Sequence, residues 1–215
     1  KGYLMGPVVG ILYFLPLITG AIADRFGYKK VLIVAYLMLS SGYFLMGIFK
    51  TYVSMYVVFM FVALGAALFK PIISATVAKT TDDETSSIGF GIFYMMVNIG
   101  AFIGPIVASK LRAADWQMVF ITSSIVILLN LIIVVFFFKE PDRKVSVDPL
   151  GKSILKILHN VWVAISDLKL LLFLLIIVGF WAMYNQLFYT LPVFIDQWMD
   201  TSLLYDALHS ISPGV

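Results

Sequence analysis

The chain has 215 residues, of which 61% are hydrophobic and 13% are charged, and its formal net charge is +3. A soluble domain has roughly 45–50% apolar and about 25% charged residues, so this composition excludes an ordinary soluble protein and indicates an integral membrane protein. It has no Cys and two His, which excludes disulfides, thiolate metal sites and Cys nucleophiles and argues against a His-built metal site. The distribution of this small positive charge over the loops indicates the membrane topology, and no nucleic-acid partner is expected.

Six segments are apolar over about the 20 residues that a bilayer-spanning helix needs. We predict these helices at about Tyr3–Ala23, Val31–Phe49, Tyr52–Val77, Ile88–Ser109, Met118–Phe138 and Lys169–Ile195. Pro and Gly recur inside them and are tolerated because neighbouring helices satisfy the freed backbone groups. Small residues allow close helix crossings and are predicted to do so here: Gly42, Gly47, Gly65, Ala66, Ala67, Gly89, Gly91, Gly100 and Gly104. The fold expected is all-α and multi-pass.

Lys and Arg are divided unevenly between the two sets of loops, ten on one side and four on the other. The richer side is expected to be cytoplasmic. The first predicted helix then runs from outside to inside, and another helix is expected before it. We therefore interpret the chain as a fragment of a longer protein of the cell (inner or plasma) membrane.

A short polar loop, GAIADRFGYKK, follows the first predicted helix. Gly20 allows close helix contact, Asp24 can meet a helix N-terminus or a basic group, and Gly27 supplies the turn. Three cations are expected to anchor at lipid headgroups: Arg25, Lys29 and Lys30. An ordinary positive-inside loop is the alternative, but it would not need the two glycines and the aspartate.

This spacing resembles the loop between the second and third helices of major facilitator superfamily transporters, G-x-x-x-D-R-x-G-x-[RK]-[RK]. The resemblance implies that the chain holds about helices two to seven of a twelve-helix major-facilitator fold. Residues 1–138 would then form five helices of the N-terminal bundle, and residues 139–168 a cytoplasmic linker. Residues 169–215 would supply the first helix of the C-terminal bundle and the start of the next extracellular loop.

The predicted linker begins with a polar run, after which Asp148 can cap a helix starting at Pro149. Apolar residues follow at helical spacing, interrupted by Lys152, Lys156 and His159. This pattern is typical of a basic amphipathic helix on the cytoplasmic membrane surface. A cytoplasmic segment packed against the base of the bundle is the alternative.

Lys70 follows 18 uncharged residues, Tyr52 to Phe69, inside a predicted spanning helix. An ionisable side chain at membrane depth is costly unless it faces a cavity or a partner. Asn98 is a lone amide in the next predicted helix, and both residues lie about 18 Å from the turn that joins the two helices. We expect them to share a polar cavity and to hold a carboxylate and a carbonyl of a solute. In the alternatives, Lys70 snorkels to the surface and Asn98 only joins two helices.

Both surroundings resemble motifs of proton-dependent oligopeptide transporters, K-P-x-[IV]-S from Lys70 and F-Y-x-x-[IV]-N-x-G-[AS]-[LIF] from Phe93. The resemblance implies that Lys70 neutralises the peptide carboxylate and pairs with an acidic residue of the missing first helix. Asn98 would bond the peptide backbone, and Tyr94 would be either a ligand or a packing residue. A third motif, F-W-x-x-x-[ED]-Q, adds three candidate lining residues and has an amide where the family has an acid: Trp181, Asn185 and Gln186.

The resemblance implies a secondary active transporter, not an enzyme, that takes up di- or tripeptides with protons by alternating access. It would work as a monomer in the lipid bilayer, driven by a proton gradient and without a cofactor. An exporter of drugs or metabolites is the alternative, and a non-transporting receptor a remote one. All acidic residues lie at predicted helix ends or in loops, so any proton relay is expected in helices outside this chain.

Overall fold

The computed structural model describes residues 2–141, 150–202 and 206. The helices of this part of the chain are α1 (Gly2–Phe14), α2 (Pro16–Phe26), α3 (Tyr28–Ile48), α4 (Tyr52–Thr80), α5 (Ser86–Ala114), α6 (Trp116–Phe137), α7 (Leu150–Ser166), α8 (Leu168–Tyr189) and α9 (Leu191–Trp198). Five spans are long and apolar enough to cross a membrane, namely α3, α4, α5, α6 and the stretch from α8 through α9; α1 and α2 together make a sixth. The predicted all-α, multi-pass architecture is confirmed.

Two of the predicted spans are divided where proline interrupts the backbone ladder. The axis bends by 45° between α1 and α2, where Pro16 opens α2. A proline lacks the N–H that would bond four residues back, and its ring clashes with that carbonyl. The last span is interrupted at Thr190, just before a proline in the first turn of α9. Neither span is the uninterrupted helix that the apolar pattern predicted.

The core lies where α2, α3, α4 and α6 meet. Leu32 and Ile72 are fully buried there, and Tyr28 is 2% exposed. Gly65 brings α4 onto α3, because a Cβ at that position would lie 3.1 Å from the Met38 Cβ. The small residue is therefore required by packing, as predicted at this crossing.

Gly42 and Gly47 also mark close crossings, because a Cβ at Gly42 would clash with the Val62 side chain of α4 and one at Gly47 would lie 3.4 Å from the Phe120 Cβ of α6. Three glycines of α5 do not mark close crossings in the part of the chain that the structure describes. A Cβ added at Gly91, Gly100 or Gly104 would have no atom within 4 Å, because α5 has no buried residue. For these three positions the expectation of close helix contact is wrong.

The chain divides into two compact units, residues 1–157 and 158–215. The first holds α1 to α6 and the first half of α7, and the second holds the rest of α7 with α8 and α9. A helix is present in the predicted linker, and its apolar residues Leu158, Trp162 and Ile165 are exposed. Its location on the membrane surface stays a prediction, and the predicted cap at Asp148 and Pro149 lies outside the described residues.

Candidate functional site

Lys70 lies on α4 with its ammonium over an aromatic ring of α1. The Nζ atom is 4.7 Å from the centroid of the Tyr13 ring. The negative face of an aromatic ring attracts a cation without neutralising it. Tyr13 was not a predicted site residue. The sequence feature that could have pointed to it is its position just before Pro16, where the span bends. The structure therefore places the candidate lysine of the sequence against an aromatic residue from a different helix.

The turn of α4 around Lys70 has one packed side and one open side. Phe69 packs edge-on against Tyr36 of α3, with ring centroids 5.3 Å apart, and Ile72 is fully buried. Lys70 itself is exposed. Within the described ranges no carboxylate forms an ion pair with it, so the acidic partner expected from the missing first helix stays a prediction.

Pro71 leaves the Ala67 carbonyl without its helical donor, in the turn of α4 that ends at Lys70 and Pro71. An ordinary residue at position 71 would donate its N–H to the Ala67 carbonyl, and proline has no such hydrogen. The Thr19 hydroxyl of α2 donates to this oxygen instead, at 2.8 Å, in a buried interface. Thr19 is 1% exposed. Helix α2 therefore completes the backbone of α4 at the turn that carries Lys70.

Tyr94 and Asn98 line the same shallow groove along α5. The other lining residues also belong to α5: Gly91, Met95, Ile99, Phe102 and Ile103. Tyr94 and Asn98 are exposed, and the Tyr94 ring packs edge-on against Phe93 at 5.2 Å. Lys70 is not among the lining residues of this groove. The structure thus brings two predicted residues together, while the expected cavity shared with Lys70 stays a prediction.

In the second unit, the three candidates on α8 make contacts within their own helix. The Asn185 Nδ2 donates to the Trp181 carbonyl at 2.8 Å, and the Gln186 Oε1 accepts from the Thr190 hydroxyl at 2.5 Å. The Trp181 ring packs edge-on against Tyr184 at 5.4 Å. Each amide thus makes one local hydrogen bond, and the role of these residues in lining a site stays a prediction.

The predicted loop motif forms a charged cluster at the end of α2. Gly27 has φ 104°, a backbone conformation that only glycine adopts easily, so it supplies the expected turn. The Tyr28 hydroxyl donates to the Asp24 carboxylate at 2.5 Å. The Asp24 Oδ1 lies 3.8 Å from the Lys79 Nζ of α4, and the Lys79 Nζ lies 4.7 Å from the Tyr28 ring centroid. Asp24 therefore meets a basic group, one of its two expected partners.

The N-terminus of α3 binds the carboxylate of Glu140, not that of Asp24. The Glu140 carboxylate accepts from the backbone N–H of Tyr28 at 2.6 Å and of Lys29 at 2.8 Å. Anions favour helix N-termini because the first N–H groups lack helical partners there. Glu140 was not a predicted functional residue. It links the chain just after α6 to the first turn of α3.

Gly20 borders a cavity instead of a tight helix crossing. A Cβ built at this position would have no atom within 4 Å, so the expectation of close contact is wrong for the described residues. Gly20, Pro71 and Lys79 are among the residues around a cavity of about 310 Å³. Of the remaining loop cations, Arg25 is half-buried and Lys30 is exposed; their contact with lipid headgroups stays a prediction.

The family is decided by a match over nearly the whole chain. Residues 3–211 match the family model of the Major Facilitator Superfamily. The chain belongs to the Major Facilitator Superfamily. This confirms the resemblance seen in the loop motif and the major-facilitator fold class.

Curated relatives of this superfamily member include the multidrug resistance proteins MdtH of Salmonella paratyphi B and of Salmonella newport. Each is 27% identical over 199 residues, which is 90% of this chain and 47% of the relative. The chain thus spans about half the length of these curated relatives.

Solved structures of peptide transporters share the fold. A peptide transporter POT in complex with sulfate aligns with TM-score 0.55 and 22% identity, covering 96% of this chain and 44% of the other. A POT family transporter in complex with 5-aminolevulinic acid aligns with TM-score 0.55 and 21% identity, covering 82% and 38%. At this identity the likeness establishes the major-facilitator fold and leaves the solute open.

Proposed function

We propose that this chain is part of a proton-coupled transporter that takes up di- and tripeptides by alternating access. The proposal depends chiefly on one observation, the Lys70 ammonium of a spanning helix held 4.7 Å from the Tyr13 ring centroid. We further propose that the transporter works as a monomer in the plasma (inner) membrane.

The Lys70 side chain suits recognition of a carboxylate. Its ammonium has three donors and no acceptor, and the Tyr13 ring occupies one side of it while leaving donors available. A charge-assisted hydrogen bond to a carboxylate is about twice as strong as one between neutral groups. A peptide's C-terminal carboxylate is the group that Lys70 would bind.

Asn98 and Tyr94 supply complementary polar groups from α5. An amide can both donate and accept, as a peptide bond requires, and both side chains face one groove. In the transport cycle, Trp181, Asn185 and Gln186 would contact the solute from the C-terminal bundle while the two bundles rock about a midplane site.

Proton coupling needs a group that titrates at membrane depth. Among residues 2–141 and 150–202, the acidic residues lie near helix ends or between helices. We therefore assign the proton-binding carboxylate to a helix outside this chain, where it would also pair with Lys70. The proton gradient supplies the driving force, and no cofactor takes part.

A second function, export of drugs or metabolites by antiport, is favoured by the curated relatives. Two of them are named multidrug resistance proteins and align with 90% of this chain. In that case Lys70 would bind an anionic group of the exported compound. The fold and the alternating-access cycle would be the same.

Transport in proteoliposomes separates the two functions. We expect an inward proton gradient to drive uptake of labelled dialanine but not of alanyl-alaninamide, which lacks the carboxylate. Lys70→Ala should abolish this uptake, and Lys50→Ala, at an exposed loop lysine, should not. Absence of dialanine uptake by folded protein would exclude the first function, and proton-driven efflux of the carboxylated dye fluorescein, lost in Lys70→Ala, would support the second.

A further inference from the structure

The backbone of α4 is incomplete at one carbonyl, and a side chain from another helix completes it. Pro71 cannot donate to Ala67, and the Thr19 hydroxyl does so at 2.8 Å. Both Thr19 and Ala67 are buried, at 1% and 0% exposure. In an apolar interface an unsatisfied carbonyl is costly, so this hydrogen bond restrains the geometry of the turn from residue 67 to residue 71.

Lys70 lies inside that restrained turn. A missing ladder hydrogen bond and a proline ring bend a helix, and the bend can vary unless another group fixes it. Lys70 directly precedes the proline, so the direction of its side chain depends on the backbone geometry of this turn. Its ammonium meets Tyr13 on α1, while Thr19 belongs to α2, on the other side of the 45° bend.

We propose that Thr19 is a positioning residue for Lys70. Thr19 donates to the Ala67 carbonyl, which Pro71 leaves without a donor. This hydrogen bond fixes the backbone of α4 in the geometry that lets the Lys70 ammonium reach the Tyr13 ring and the bound anion. This inference rests on the proposed role of Lys70 in binding a carboxylate. Its structural part can be tested without any solute.

The test uses the chemical shift that an aromatic ring imposes on a nearby cation. Lysines of the purified transporter are reductively methylated with ¹³C-formaldehyde, which keeps their charge, and the Lys70 signal is assigned by its loss in Lys70→Arg. Tyr13→Leu defines the shift without the ring. Lys79 is the internal control, since it also lies on α4 and also stands over a ring, that of Tyr28, at 4.7 Å.

We expect Thr19→Val to move the Lys70 signal at least halfway to its position in Tyr13→Leu, with the Lys79 signal unchanged. Thr19→Ser, which keeps the hydroxyl, should restore the wild-type position. If Thr19→Val does not fold, Thr19→Ala replaces it, because it also lacks the hydroxyl and should move the Lys70 signal in the same direction. An unchanged Lys70 signal in Thr19→Val, or equal movement of both lysine signals, would overturn the proposal.

Pro71→Ala sharpens the test, because alanine restores the N–H that bonds the Ala67 carbonyl. In that background Thr19→Val should cause no further movement of the Lys70 signal, and an undiminished effect would contradict the proposal.

Dialanine binding separates the proposed function of Lys70 from the positioning role of Thr19. If Lys70→Ala keeps the wild-type preference for dialanine over its amide, the proposed function fails; if Lys70→Ala loses it but Thr19→Val does not reduce it at least threefold, the positioning role fails.

Discussion

The Glu140 carboxylate holds the backbone N–H of Tyr28 at 2.6 Å, although the two residues are 112 positions apart in the chain. Its second oxygen accepts from the N–H of Lys29. We expect Glu140→Ala to lower the free energy of unfolding in detergent by ~1 kcal/mol, because the start of α3 loses its cap and a favourable charge. Thermal unfolding followed by circular dichroism measures this change.

Glu140→Gln is the matched variant, because it keeps one acceptor oxygen and removes the charge. It should lose less stability than Glu140→Ala. Equal stability of wild type and Glu140→Ala would show that the cap contributes nothing.

Asp82 organises the loop between α4 and α5. Its carboxylate accepts from the Thr85 hydroxyl at 2.5 Å and from the Thr85 backbone N–H at 2.8 Å. These hydrogen bonds, the hydroxyl first, hold the pKa of Asp82 below its usual 3.8. A carboxylate with a lowered pKa in the folded state stabilises it above the unfolded pKa, and this is lost as pH falls through the lowered pKa.

We therefore expect the Thr85 amide to be protected from hydrogen exchange near neutral pH and to lose protection only below about pH 3.8, the unfolded value. Asp82→Asn should show reduced protection at every pH. The nearby Asp83 gives a control, because Asp83→Asn should leave the exchange of Thr85 unchanged. Loss of protection already at pH 5 would contradict the assigned bonds.

Ser40 and Ser124 form a reciprocal contact between α3 and α6. Each hydroxyl donates to the backbone carbonyl of the other serine, at 3.1 and 2.8 Å, and the two hydroxyl oxygens are 3.0 Å apart. Interhelical hydrogen bonds in membranes contribute ~0.6 kcal/mol on average. We expect Ser40→Ala and Ser124→Ala each to cost about this amount, with a double variant that costs less than the sum.

Unfolding of the two single variants and the double variant measures the coupling between them. Ser41→Ala is the control, because its hydroxyl bonds within its own helix, to the Leu37 carbonyl. A double variant equal to the sum of the singles would mean that the two hydroxyls act independently.

Local signals in the sequence predict most of the helices and single out Lys70 as a candidate site residue. Apolar runs predict the spans, and Lys70 and Gly27 are visible because each breaks a local pattern, one of charge and one of turn chemistry. The contacts of Glu140 with Tyr28 and of Thr19 with Ala67 join distant segments. No window of sequence contains both partners, so these contacts emerge only from helix packing.

The same reason explains the errors at four glycines, namely Gly20, Gly91, Gly100 and Gly104. Gly65 and Gly100 look alike in sequence, since each is a small residue within an apolar run. Gly65 faces α3, with the Met38 Cβ 3.1 Å from a built Cβ, whereas Gly100 meets nothing within 4 Å. Which face of a helix meets a neighbour depends on rotation about its axis, and the low amphipathicity of spanning helices leaves that rotation undefined.

The pairing of Lys70 with Tyr13 can be tested at the ring. Tyr13→Phe keeps the aromatic face, so dialanine affinity should stay within about twofold of wild type. Tyr13→Leu removes a cation–π interaction of ~0.5–2 kcal/mol and should lower affinity between about twofold and thirtyfold. Competition with labelled dialanine in proteoliposomes measures both. Tyr52→Leu, at an exposed tyrosine at the start of α4, is the control, and equal affinities for Tyr13→Phe and Tyr13→Leu would exclude a role for the ring.

Helix α7 has an apolar face that leaves Leu158 50% and Trp162 71% exposed. Basic amphipathic helices place such faces at the boundary between headgroups and acyl chains, and α7 contains Lys152 and Lys156 without any acidic residue. With the other three tryptophans replaced by Phe, we expect blue-shifted Trp162 emission and quenching by brominated acyl chains in vesicles with anionic lipid. Leu158→Glu should reverse both effects, and His159→Glu, on the polar face, should have less effect. Emission that resists the brominated lipids would instead favour packing of this segment against the base of the bundle.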